Sequence, residues 1–542
     1  MVIVGEQPVA DEHSWSPDGV LTLRGRLGGL GGPGGPGGIG GIGGQGQPGA
    51  EALLCRRGAT ETHPVAAELT ADRFAVEIPA ASMPAFGDRL PLRDGVWELK
   101  LRPTGQPGAA EPVPVAWDQA RLGESRERTT QVGRKTFVLT ASKEGHLALT
   151  VAPALGAVDG SRVRRKVVRD AYYPLLRRRP VRDSVVFVSF KGRSCSDSPL
   201  GISQELRRRG DGREQIWAVS DWSVPVPDGA RPVLMWTEAF WDALARSRHI
   251  VSNDELPTAF AKRPGQIYVQ TWHGTLLKRI GFDVEDPKFA DGQKYNEVLA
   301  QEVRKWDLAL SPNPFSTPLM RRAFRYEGQI CESGYPRNDV LCRGDTGALA
   351  GQVRERLGLP AGKKIILYAP TWRDNQYYEA GRYRFDLRLD LRDARRQLGD
   401  DYAFLIRGHH QAADDVPAEL APGFAINVTT YPDVSELLML ADVLITDYSS
   451  MMCDFAATGK PMVFYTYDLE EYRDDVRGFN FDLEAEAPGP LLATSAEVIA
   501  AVGDLDDVTA RHRARYQAFV AKFCPLDDGK AGARACDAIF GA

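Results

Sequence analysis

The chain has 542 residues, of which 43% are hydrophobic and 26% are charged, a mixture typical of a globular protein with several domains. The net charge of −5 excludes a protein that coats nucleic acid, and no apolar run approaches the roughly 18 residues of a membrane-spanning helix. The first residues lack the basic start and apolar core of a signal peptide. The seven cysteines are scattered without a CxxC pair, which argues against a disulfide framework or a zinc site and favours the cytoplasm.

Residues 1–155 are predicted to form a β-rich, sandwich-like domain. Short apolar runs separated by turn residues recur along this region, for example at residues 73–79 and 95–102, and this spacing is typical of antiparallel strands. Residues 28–49 contain 14 glycines in 22 positions. They cannot bury enough apolar surface to offset the entropy of ordering, so we predict a disordered loop. No residues of the β-rich domain indicate catalytic chemistry.

Residues 156–183 are predicted to be a basic amphipathic linker. From residue 161 to 183, nine Lys or Arg residues stand against two Asp, with apolar residues at near-helical spacing. Such a segment fits an anionic membrane surface and fits equally well a solvated helix between domains. Pro174 and Pro180 limit the length of any continuous helix.

From residue 184 onward, apolar runs of strand length alternate with amphipathic stretches. This alternation is typical of parallel sheets in doubly wound α/β domains. The runs form two series with a break near residues 345–355, which predicts two Rossmann-like domains at residues 184–345 and 346–542. A ligand is expected in the cleft at the carboxyl ends of their strands.

Four predicted strands end directly in polar groups. These groups are Trp272-His273-Gly274-Thr275, Ala369-Pro370-Thr371-Trp372-Arg373, Arg407-Gly408-His409-His410 and Thr446-Asp447-Tyr448-Ser449-Ser450. Helices are predicted to begin at Leu276 and at Ser449-Ser450, and a helix start suits a phosphate group. One strand-end histidine or one serine cap is usually structural. Four such ends at one cleft indicate an α/β transferase that acts on a phosphorylated or nucleotide substrate.

The residue types suggest individual roles. His273 and His409 are the histidines at predicted strand ends, one in each domain, and an imidazole can take a proton from a hydroxyl or give one to a leaving phosphate. Lys278 and Arg407 could neutralise a diphosphate, and Thr371 could donate a further hydrogen bond. Asp447 could equally be a capping acid.

Eight segments from residue 184 to the C-terminus, in the same order, resemble the CDP-glycerol glycerophosphotransferase family of teichoic-acid synthesis, which includes glycerol-phosphate primases and polymerases. The segments are VSFKGRSCSDSP (188–199), WHGTLLKRIGFD (272–283), SGYPRNDVL (333–341), ILYAPTWRD (366–374), IRGHH (406–410), DVSELLMLADVLITDYSSMMCDF (433–455), GKPMVFYTYDLEEY (459–472) and RGFNFDLEAEAPGP (477–490). The resemblance does not extend to the β-rich N-terminal region.

The resemblance implies a GT-B-like pair of Rossmann-like domains with CDP-glycerol in the cleft between them. It implies transfer of glycerol phosphate, by displacement at the β-phosphorus, to a hydroxyl of a lipid-linked teichoic-acid or capsule-type polymer, with release of CMP. Carried over by motif, His273 is the expected general base and His409 a second essential histidine. The expected substrate-binding residues are Trp272, Gly274, Thr275, Lys278, Arg337, Pro370, Thr371, Arg407, Asp447, Ser449, Ser450 and Asp454.

Two positions depart from the family pattern. Leu276 stands where many members have a proline after HGT, and His410 stands where a proline often follows the motif histidine. The register of the motif selects His409 rather than His410.

The expected partners are CDP-glycerol, a lipid-linked polymer acceptor and an anionic membrane surface, which would place the enzyme peripherally on the inner face of the cell membrane. No cofactor and no protein-held metal are expected, because no DxD-like acidic pair follows a predicted strand, although the diphosphate of the donor could bring Mg²⁺. Three alternatives stay open: a CDP-ribitol or other CDP-alditol phosphotransferase, a GT-B sugar-nucleotide glycosyltransferase, and a non-catalytic scaffold at the membrane surface. The sequence does not distinguish a primase from a polymerase and does not indicate the oligomeric state.

Overall fold

A computed structural model describes most of the chain, and its residues fall into two compact units. The units are Met1–Gly160 with Asp221–Ser223, and Ser161–Ser220 with Val224–Ala542. The described residues are 7–27, 50–59, 61–70, 72–103, 111–118, 128–284, 292–344, 346–371, 377–379, 382–383, 387–408, 420, 423–472 and 478–541. The predicted disordered loop 28–49 lies outside them. The predicted domain boundaries at residues 155, 183 and 345 stay predictions.

The first unit is rich in strands, as predicted. They are β1 (Val9–Trp15), β2 (Val20–Arg26), β3 (Ala50–Arg56), β4 (Thr62–Leu69), β5 (Arg73–Pro79), β6 (Met83–Ala85), β7 (Asp88–Leu90), β8 (Gly95–Pro103), β9 (Val113–Pro114), β10 (Ala116–Trp117), β11 (Thr129–Val132), β12 (Lys135–Ala141) and β13 (Leu147–Pro153). Strands β6 and β7 form a separate hairpin. The others form one hydrogen-bonded sheet in the order β10-β1-β2-β5-β4-β3-β8-β13-β12-β11, with β9 beside β8.

One hydrophobic core fills the first unit. Strand β4 pairs with β3 through its first residues and with β5 through its last residues, so it joins the two parts of the sheet. Alternate residues of β5, such as Phe74 and Val76, and of β8, such as Trp97 and Leu99, are buried in the same cluster. The period-2 burial pattern follows from the alternation of side chains along a strand.

The predicted basic linker is helical in part. Helix α1 (Arg162–Val167) leads through a π-helical turn (Val168–Tyr172) into α2 (Tyr173–Leu176). Pro174 does not interrupt this path, because it lies in the first turn of α2, where no backbone N–H is needed. The ring of Tyr173 packs on Trp241, with centroids 4.9 Å apart.

The second unit begins its α/β part with a fully parallel seven-stranded sheet. Its strands and helices are β14 (Arg182–Val188), α3 (Asp197–Arg208), β15 (Glu214–Val219), β16 (Arg231–Leu234), α4 (Glu238–Arg246), β17 (Ser247–Ser252), β18 (Ile267–Gln270), α5 (Gly292–Val303), β19 (Leu308–Ser311), α6 (Ser316–Phe324) and β20 (Gln329–Glu332). Short 3-10 turns occupy Phe190–Gly192, Gly281–Asp283 and Pro336–Leu341. The strand order is β16-β15-β14-β17-β18-β19-β20. The chain first adds β15 and β16 on one side of β14 and then adds β17 to β20 on the other side, so the strand order reverses between β14 and β17.

A second parallel sheet of six strands follows. Its region comprises α7 (Gly347–Arg356), β21 (Lys364–Tyr368), the hairpin β22 (Tyr377–Glu379) and β23 (Arg382–Tyr383), α8 (Leu391–Leu398), β24 (Tyr402–Ile406), β25 (Ala425–Asn427), α9 (Val434–Leu440), β26 (Val443–Thr446), α10 (Met451–Ala456), β27 (Met462–Tyr465), α11 (Leu469–Glu471), α12 (Leu483–Glu486), β28 (Leu491–Leu492), α13 (Ser495–Gly503), α14 (Leu505–Phe523) and α15 (Ala531–Phe540). The order β25-β24-β21-β26-β27-β28 reverses between β21 and β26. The prediction of mixed α/β structure after residue 184 is confirmed.

The last helix returns to the first α/β sheet. Helix α15 packs against α3 and the Pro336–Leu341 turn. The carboxylate of Asp339 accepts the N–H groups of Ala531 and Gly532, both at 2.8 Å, and so caps the start of α15. Among the residues that the structure describes, no helix is both long and apolar enough to cross a membrane.

Candidate functional site

Several of the predicted site residues follow the carboxyl ends of strands in both parallel sheets. Thr371 and Ser449-Ser450 follow β21 and β26, between which the second strand order reverses, and His273 follows β18, one strand from the reversal in the first sheet. Loops from the two sheets contact one another at Gly274, which follows β18, and Ser450, which follows β26. A Cβ atom added to Gly274 would lie 2.7 Å from Ser450 Oγ, so only glycine fits there without a shift. The next residue, Thr275, is buried.

The imidazole of His273 is exposed and held in one orientation. Its Nδ1 lies 2.7 Å from the backbone oxygen of Asn253. Because a carbonyl oxygen only accepts, Nδ1 carries the hydrogen, and the neutral ring presents an unprotonated Nε2. The ring also stacks on Trp272, with centroids 4.6 Å apart, and meets the edge of Phe190 at 5.8 Å. The geometry therefore suits a base that acts through Nε2.

Trp272 supports this loop in a strained conformation. Its φ of +54° is uncommon for a bulky residue and persists only where the surroundings hold it. The Trp272 N–H donates to Gln270 Oε1 at 2.9 Å, and its ring packs against Phe324 at 4.6 Å. These contacts fix the direction in which the loop leaves β18.

The helix predicted to begin at Leu276 is wrong, because the chain runs irregularly from there to the Gly281–Asp283 turn. The side-chain amide of Asn480 donates to the carbonyls of Leu276 and Lys278, at 2.9 and 3.0 Å. Those carbonyls would otherwise accept helical hydrogen bonds. A contact with a residue some two hundred positions away thus replaces the local structure.

Lys278 also reaches the other half of the unit. Its ammonium lies 5.1 Å from the ring centroid of Tyr472, a cation–π contact. The Tyr472 ring stacks on Tyr448, with centroids 4.2 Å apart, and the Tyr448 hydroxyl donates to Asp468 at 3.0 Å. Lys278 is therefore placed beside the loop that carries Ser449 and Ser450.

Arg337 is the centre of a buried ion cluster. Its Nε and Nη2 donate to the carboxylate of Asp454 at 2.9–3.2 Å. Its Nη1 donates to Asp197 Oδ2 at 2.8 Å and to the backbone oxygen of His273 at 2.9 Å. Each of the three guanidinium nitrogens is therefore hydrogen-bonded to protein. Arg337 and Asp454 are both buried and paired with one another, and this arrangement gives them a supporting position.

Electrostatics keep Arg337 charged in this cluster. Burial alone lowers the pKa of the guanidinium, but the carboxylates of Asp197 and Asp454 raise it further than burial lowers it. Asp197 was not singled out from the sequence, where it looks like an ordinary acid at the start of α3. Its φ of +66° has no sequence signal, and its partner Arg337 lies 140 positions away.

In the second sheet, Asp447 shapes the loops that follow β21 and β26. Both of its carboxylate oxygens accept the Thr371 N–H, at 2.9 and 3.0 Å, and Oδ1 also accepts the Tyr448 N–H at 2.6 Å. This fixes Pro370-Thr371 beside the start of α10. Asp447 thus binds backbone groups of the two loops and does not cap α10, whose N-cap residue is Ser450.

Ser449 and Ser450 precede α10, and both are partly exposed. Ser449 Oγ accepts the Met451 N–H at 3.3 Å, which satisfies one free donor at the start of this short helix. The predicted helix start is confirmed at this position. The Ser450 hydroxyl faces Gly274 across the contact between the two sheets.

Arg407 follows β24 and is held by backbone oxygens. Its Nη1 donates to the carbonyls of Val428 and Tyr431, both at 3.0 Å. Burial lowers the pKa of Arg407 to about 10, so the group is still charged at neutral pH. Burial raises the pKa of the neighbouring Asp433 to about 6. The predicted second histidine, His409, and its neighbour His410 lie outside the described residues.

Potential metal ligands are dispersed. Within the described part of the chain, no group of three or more His, Cys, Asp or Glu residues is arranged to hold a metal ion.

Comparisons with known proteins match the α/β part of the chain. The model of the family "CDP-Glycerol:Poly(glycerophosphate) glycerophosphotransferase" matches residues 171–541. The teichoic acid poly(glycerol phosphate) polymerase of Bacillus subtilis is 38% identical over 388 residues, which are 70% of this chain and 52% of the polymerase. The teichoic acid glycerol-phosphate transferase of Staphylococcus aureus is 35% identical and is covered over 98% of its length, by 69% of this chain.

Solved structures give the same result. The wall teichoic acid polymerase TagF superposes with a TM-score of 0.66 at 35% identity, over 70% of this chain and 93% of that one. This chain spans about half the length of the Bacillus subtilis polymerase and nearly the full length of the Staphylococcus aureus transferase. The family predicted from the motifs is confirmed.

Proposed function

The chain belongs to the CDP-Glycerol:Poly(glycerophosphate) glycerophosphotransferase family, and on this premise we propose that it transfers glycerol phosphate from CDP-glycerol to a hydroxyl of a lipid-linked teichoic-acid or capsule-type polymer. One observation carries the proposal for this chain. His273, oriented as a base, lies on a loop that contacts Ser450 of the other parallel sheet. This contact supports a site to which both motifs contribute, although they lie far apart in the sequence.

The two parallel sheets form a GT-B-like pair in this proposal, with CDP-glycerol between their carboxyl edges. Ligands of doubly wound sheets bind where the strand order reverses. The loop after β26 lies at such a point, and the loop after β18 lies one strand from the reversal in the first sheet. The contacts of Gly274 with Ser450 and of Lys278 with Tyr472 support a cleft that is built from both sheets.

The reaction is a displacement at the β-phosphorus of CDP-glycerol. The acceptor hydroxyl oxygen forms a bond to this phosphorus, and the bond from phosphorus to the bridging oxygen breaks, so CMP leaves with the electron pair. His273 Nε2 takes the proton of the hydroxyl. Phosphoryl transfer needs mainly positioning and electrostatic stabilisation, and no protein-held metal is required in this scheme. Any Mg²⁺ would arrive with the diphosphate of the donor.

Cations and hydroxyls stabilise the negative charge that develops on CMP. Arg407 and Lys278 supply positive charge, and the hydroxyls of Thr371, Ser449 and Ser450 supply hydrogen bonds. By motif, His409 is the second essential histidine of this proposal.

A lipid-linked acceptor requires that the enzyme bind the membrane surface. The segment from α1 to α2 exposes Val163, Val167 and Leu175, with 73%, 55% and 52% of their surface accessible, among its arginines. A basic segment with exposed apolar residues suits the surface of an anionic bilayer, and the proposed location is the inner face of the cell membrane. Replacing the three apolar residues with Ser should weaken sedimentation with anionic vesicles. Unchanged sedimentation at low salt would contradict the membrane role.

The transferase proposal is tested with a panel of donors and a lipid-linked glycerol-phosphate acceptor. CDP-glycerol, CDP-ribitol and a UDP-sugar are supplied in parallel, and released nucleotide and radiolabelled polymer are both measured. We expect CMP release that matches incorporation of glycerol phosphate from CDP-glycerol. Turnover of CDP-ribitol alone would establish the alternative alditol, and turnover of the UDP-sugar alone would contradict a phosphotransferase.

A further inference from the structure

Asn253 connects the base to a neighbouring strand end. It directly follows β17, and it is completely buried. Its backbone oxygen accepts the Nδ1–H of His273 at 2.7 Å. Its side-chain Oδ1 accepts the Phe190 N–H at 2.8 Å, and its Nδ2 donates to Ser189 Oγ at 3.4 Å. The side chain thus fixes the peptide whose carbonyl orients the imidazole.

The turn that Asn253 holds is itself strained. Phe190 and Lys191 have φ angles of +45° and +54°, in the left-handed region that side chains other than glycine rarely adopt. Such a turn persists only where neighbouring groups hold it. Because the edge of the Phe190 ring contacts the His273 ring at 5.8 Å, the same turn supports the imidazole directly.

A second anchor acts on the backbone of His273. Arg337 Nη1 donates to the His273 carbonyl at 2.9 Å and to Asp197 Oδ2 at 2.8 Å. Asp197 is buried and has a φ of +66°, and its other oxygen accepts the Ser198 N–H at 2.5 Å. The carboxylate of Asp197 therefore orients Arg337 Nη1, which donates a hydrogen bond to the backbone of the loop that carries His273.

We propose that Asn253 and Asp197 are positioning residues for His273, an inference that rests on the proposed role of His273 as the base. Asn253 sets the tautomer with hydrogen on Nδ1, so that Nε2 is free to accept the proton of the acceptor hydroxyl. Asp197, through Arg337, sets the position of the loop. Neither side chain needs to contact the substrate.

The tautomer is tested without any substrate. The full chain is labelled with ¹⁵N-histidine, and long-range ¹H–¹⁵N spectra assign hydrogen to Nδ1 or Nε2, with the His273 signals identified by their loss in His273→Gln. We expect hydrogen on Nδ1 in the wild type and a change to Nε2–H, or to a mixture, in Asn253→Ala. Hydrogen on Nε2 in the wild type, or on Nδ1 in Asn253→Ala, would overturn the proposal for Asn253.

Asn313 offers a matched control. It also follows a strand of the same sheet, is completely buried, accepts the Ser316 N–H at 2.9 Å and donates to the Phe523 carbonyl at 2.7 Å. Asn313→Ala should lose stability much as Asn253→Ala does and leave the His273 tautomer unchanged. A tautomer change in both variants would mean a general loss of structure and would overturn the assignment.

Kinetics test the consequence for catalysis. For Asn253→Ala we expect kcat to fall about 100-fold, because a misplaced catalytic group can cost that much, while KM for CDP-glycerol stays near the wild-type value. Asp197→Asn keeps the shape of the side chain. We expect kcat to fall by less than in Asn253→Ala and KM for CDP-glycerol again to stay near the wild-type value. Asp442→Asn, which changes an acid that accepts the Ile365 N–H at 2.7 Å, should leave both constants unchanged.

The two proposals fail in distinguishable ways. If the wild type releases no CMP from any CDP-alditol, the transferase proposal fails, while the tautomer comparison still decides how His273 is held. If the wild type is active and Asn253→Ala and Asp197→Asn both keep wild-type kcat, the positioning role is overturned.

Discussion

The two units of the molecule each bury a cluster of ions, and the clusters differ in what they hold. In the first unit, Lys135 is 1% exposed and donates to Asp94 at 2.7 Å and to Asp221 at 2.5 Å. Asp221 in turn accepts the N–H groups of Asp94 and Ser223. These bonds join the start of β12 to the loops at Asp94 and Asp221, so the cluster serves the fold of its unit.

The cluster around Arg337 in the second unit also pairs one cation with two carboxylates, but it holds a different kind of group. Two carboxylates, Asp197 and Asp454, satisfy most of the guanidinium, and one remaining donor grips the carbonyl of His273. The side chain of His273 is exposed, while its backbone is tied to a buried charge. The buried cluster of the second unit thus differs from that of the first in that one of its members holds the backbone of an exposed imidazole.

The largest expected effect is from Arg337→Met, because it breaks the cluster that leads to His273. It leaves Asp197 and Asp454 buried without a counter-charge, and removal of one partner of a buried pair costs about 3–5 kcal/mol of unfolding free energy. The CMP-release rate should fall as well. Urea unfolding and turnover are measured on the same preparation.

A triple variant sharpens this prediction. Adding Asp197→Asn and Asp454→Asn to Arg337→Met removes the unpaired charges and should restore much of the lost stability without restoring turnover. Recovery of both would mean that Arg337 only balances charge.

Lys135→Met should produce a similar loss of stability in the first unit but no loss of turnover per folded molecule. Asp94 and Asp221 would face one another without a cation, again at a cost of about 3–5 kcal/mol. Hydrogen exchange of the β12 and β13 peptides would report the opening of this unit. A fall in kcat of the folded fraction would contradict the division of roles between the two clusters.

A smaller effect concerns pH in the first unit. Burial, with a further contribution from Asp221, raises the pKa of Asp94 to about 6, above its unfolded value of about 3.9. Between these pH values the folded state binds more protons than the unfolded state. The contribution of Asp94 to the free energy of unfolding is therefore largest below pH ~4 and declines as the pH rises to ~6.

Asp94→Asn tests this pH dependence. Without the charge, the decline between pH ~4 and ~6 should disappear, and the first unit should be about 1–2 kcal/mol more stable than wild type above pH 6. Hydrogen exchange of β12 at pH 5 and pH 7.5 provides the comparison. Lower stability of the variant at pH 7.5 would show that the Asp94 carboxylate is favourable in the fold.

Much of the fold could be predicted from the sequence because its strands are continuous apolar runs. Strands such as β14, β21 and β26 are buried on both faces, and their composition shows it. Edge strands such as β16 and β20 are short and half-exposed, so they carry little signal.

The motifs of the site could be predicted from the sequence, but the contacts between them could not. His273 and Ser449-Ser450 follow strands that the sequence shows plainly. Asp197 and Asn253 matter through partners that are distant in sequence, so the local sequence does not show their role. The prediction of a helix at Leu276 is wrong for the same reason, because the carbonyls of Leu276 and Lys278 accept hydrogen bonds from Asn480, which is distant in sequence.

The most direct test of the account is CMP release from CDP-glycerol by His273→Ala, with His512→Ala as the control. His512 also places Nδ1 against a backbone oxygen, that of Val508 at 2.9 Å, but it lies on α14. We expect the His273 variant to lose about 10²- to 10⁴-fold in kcat, the usual contribution of a general base, and the His512 variant to keep wild-type turnover. Wild-type turnover in His273→Ala would contradict the assignment of the base and the site built around it.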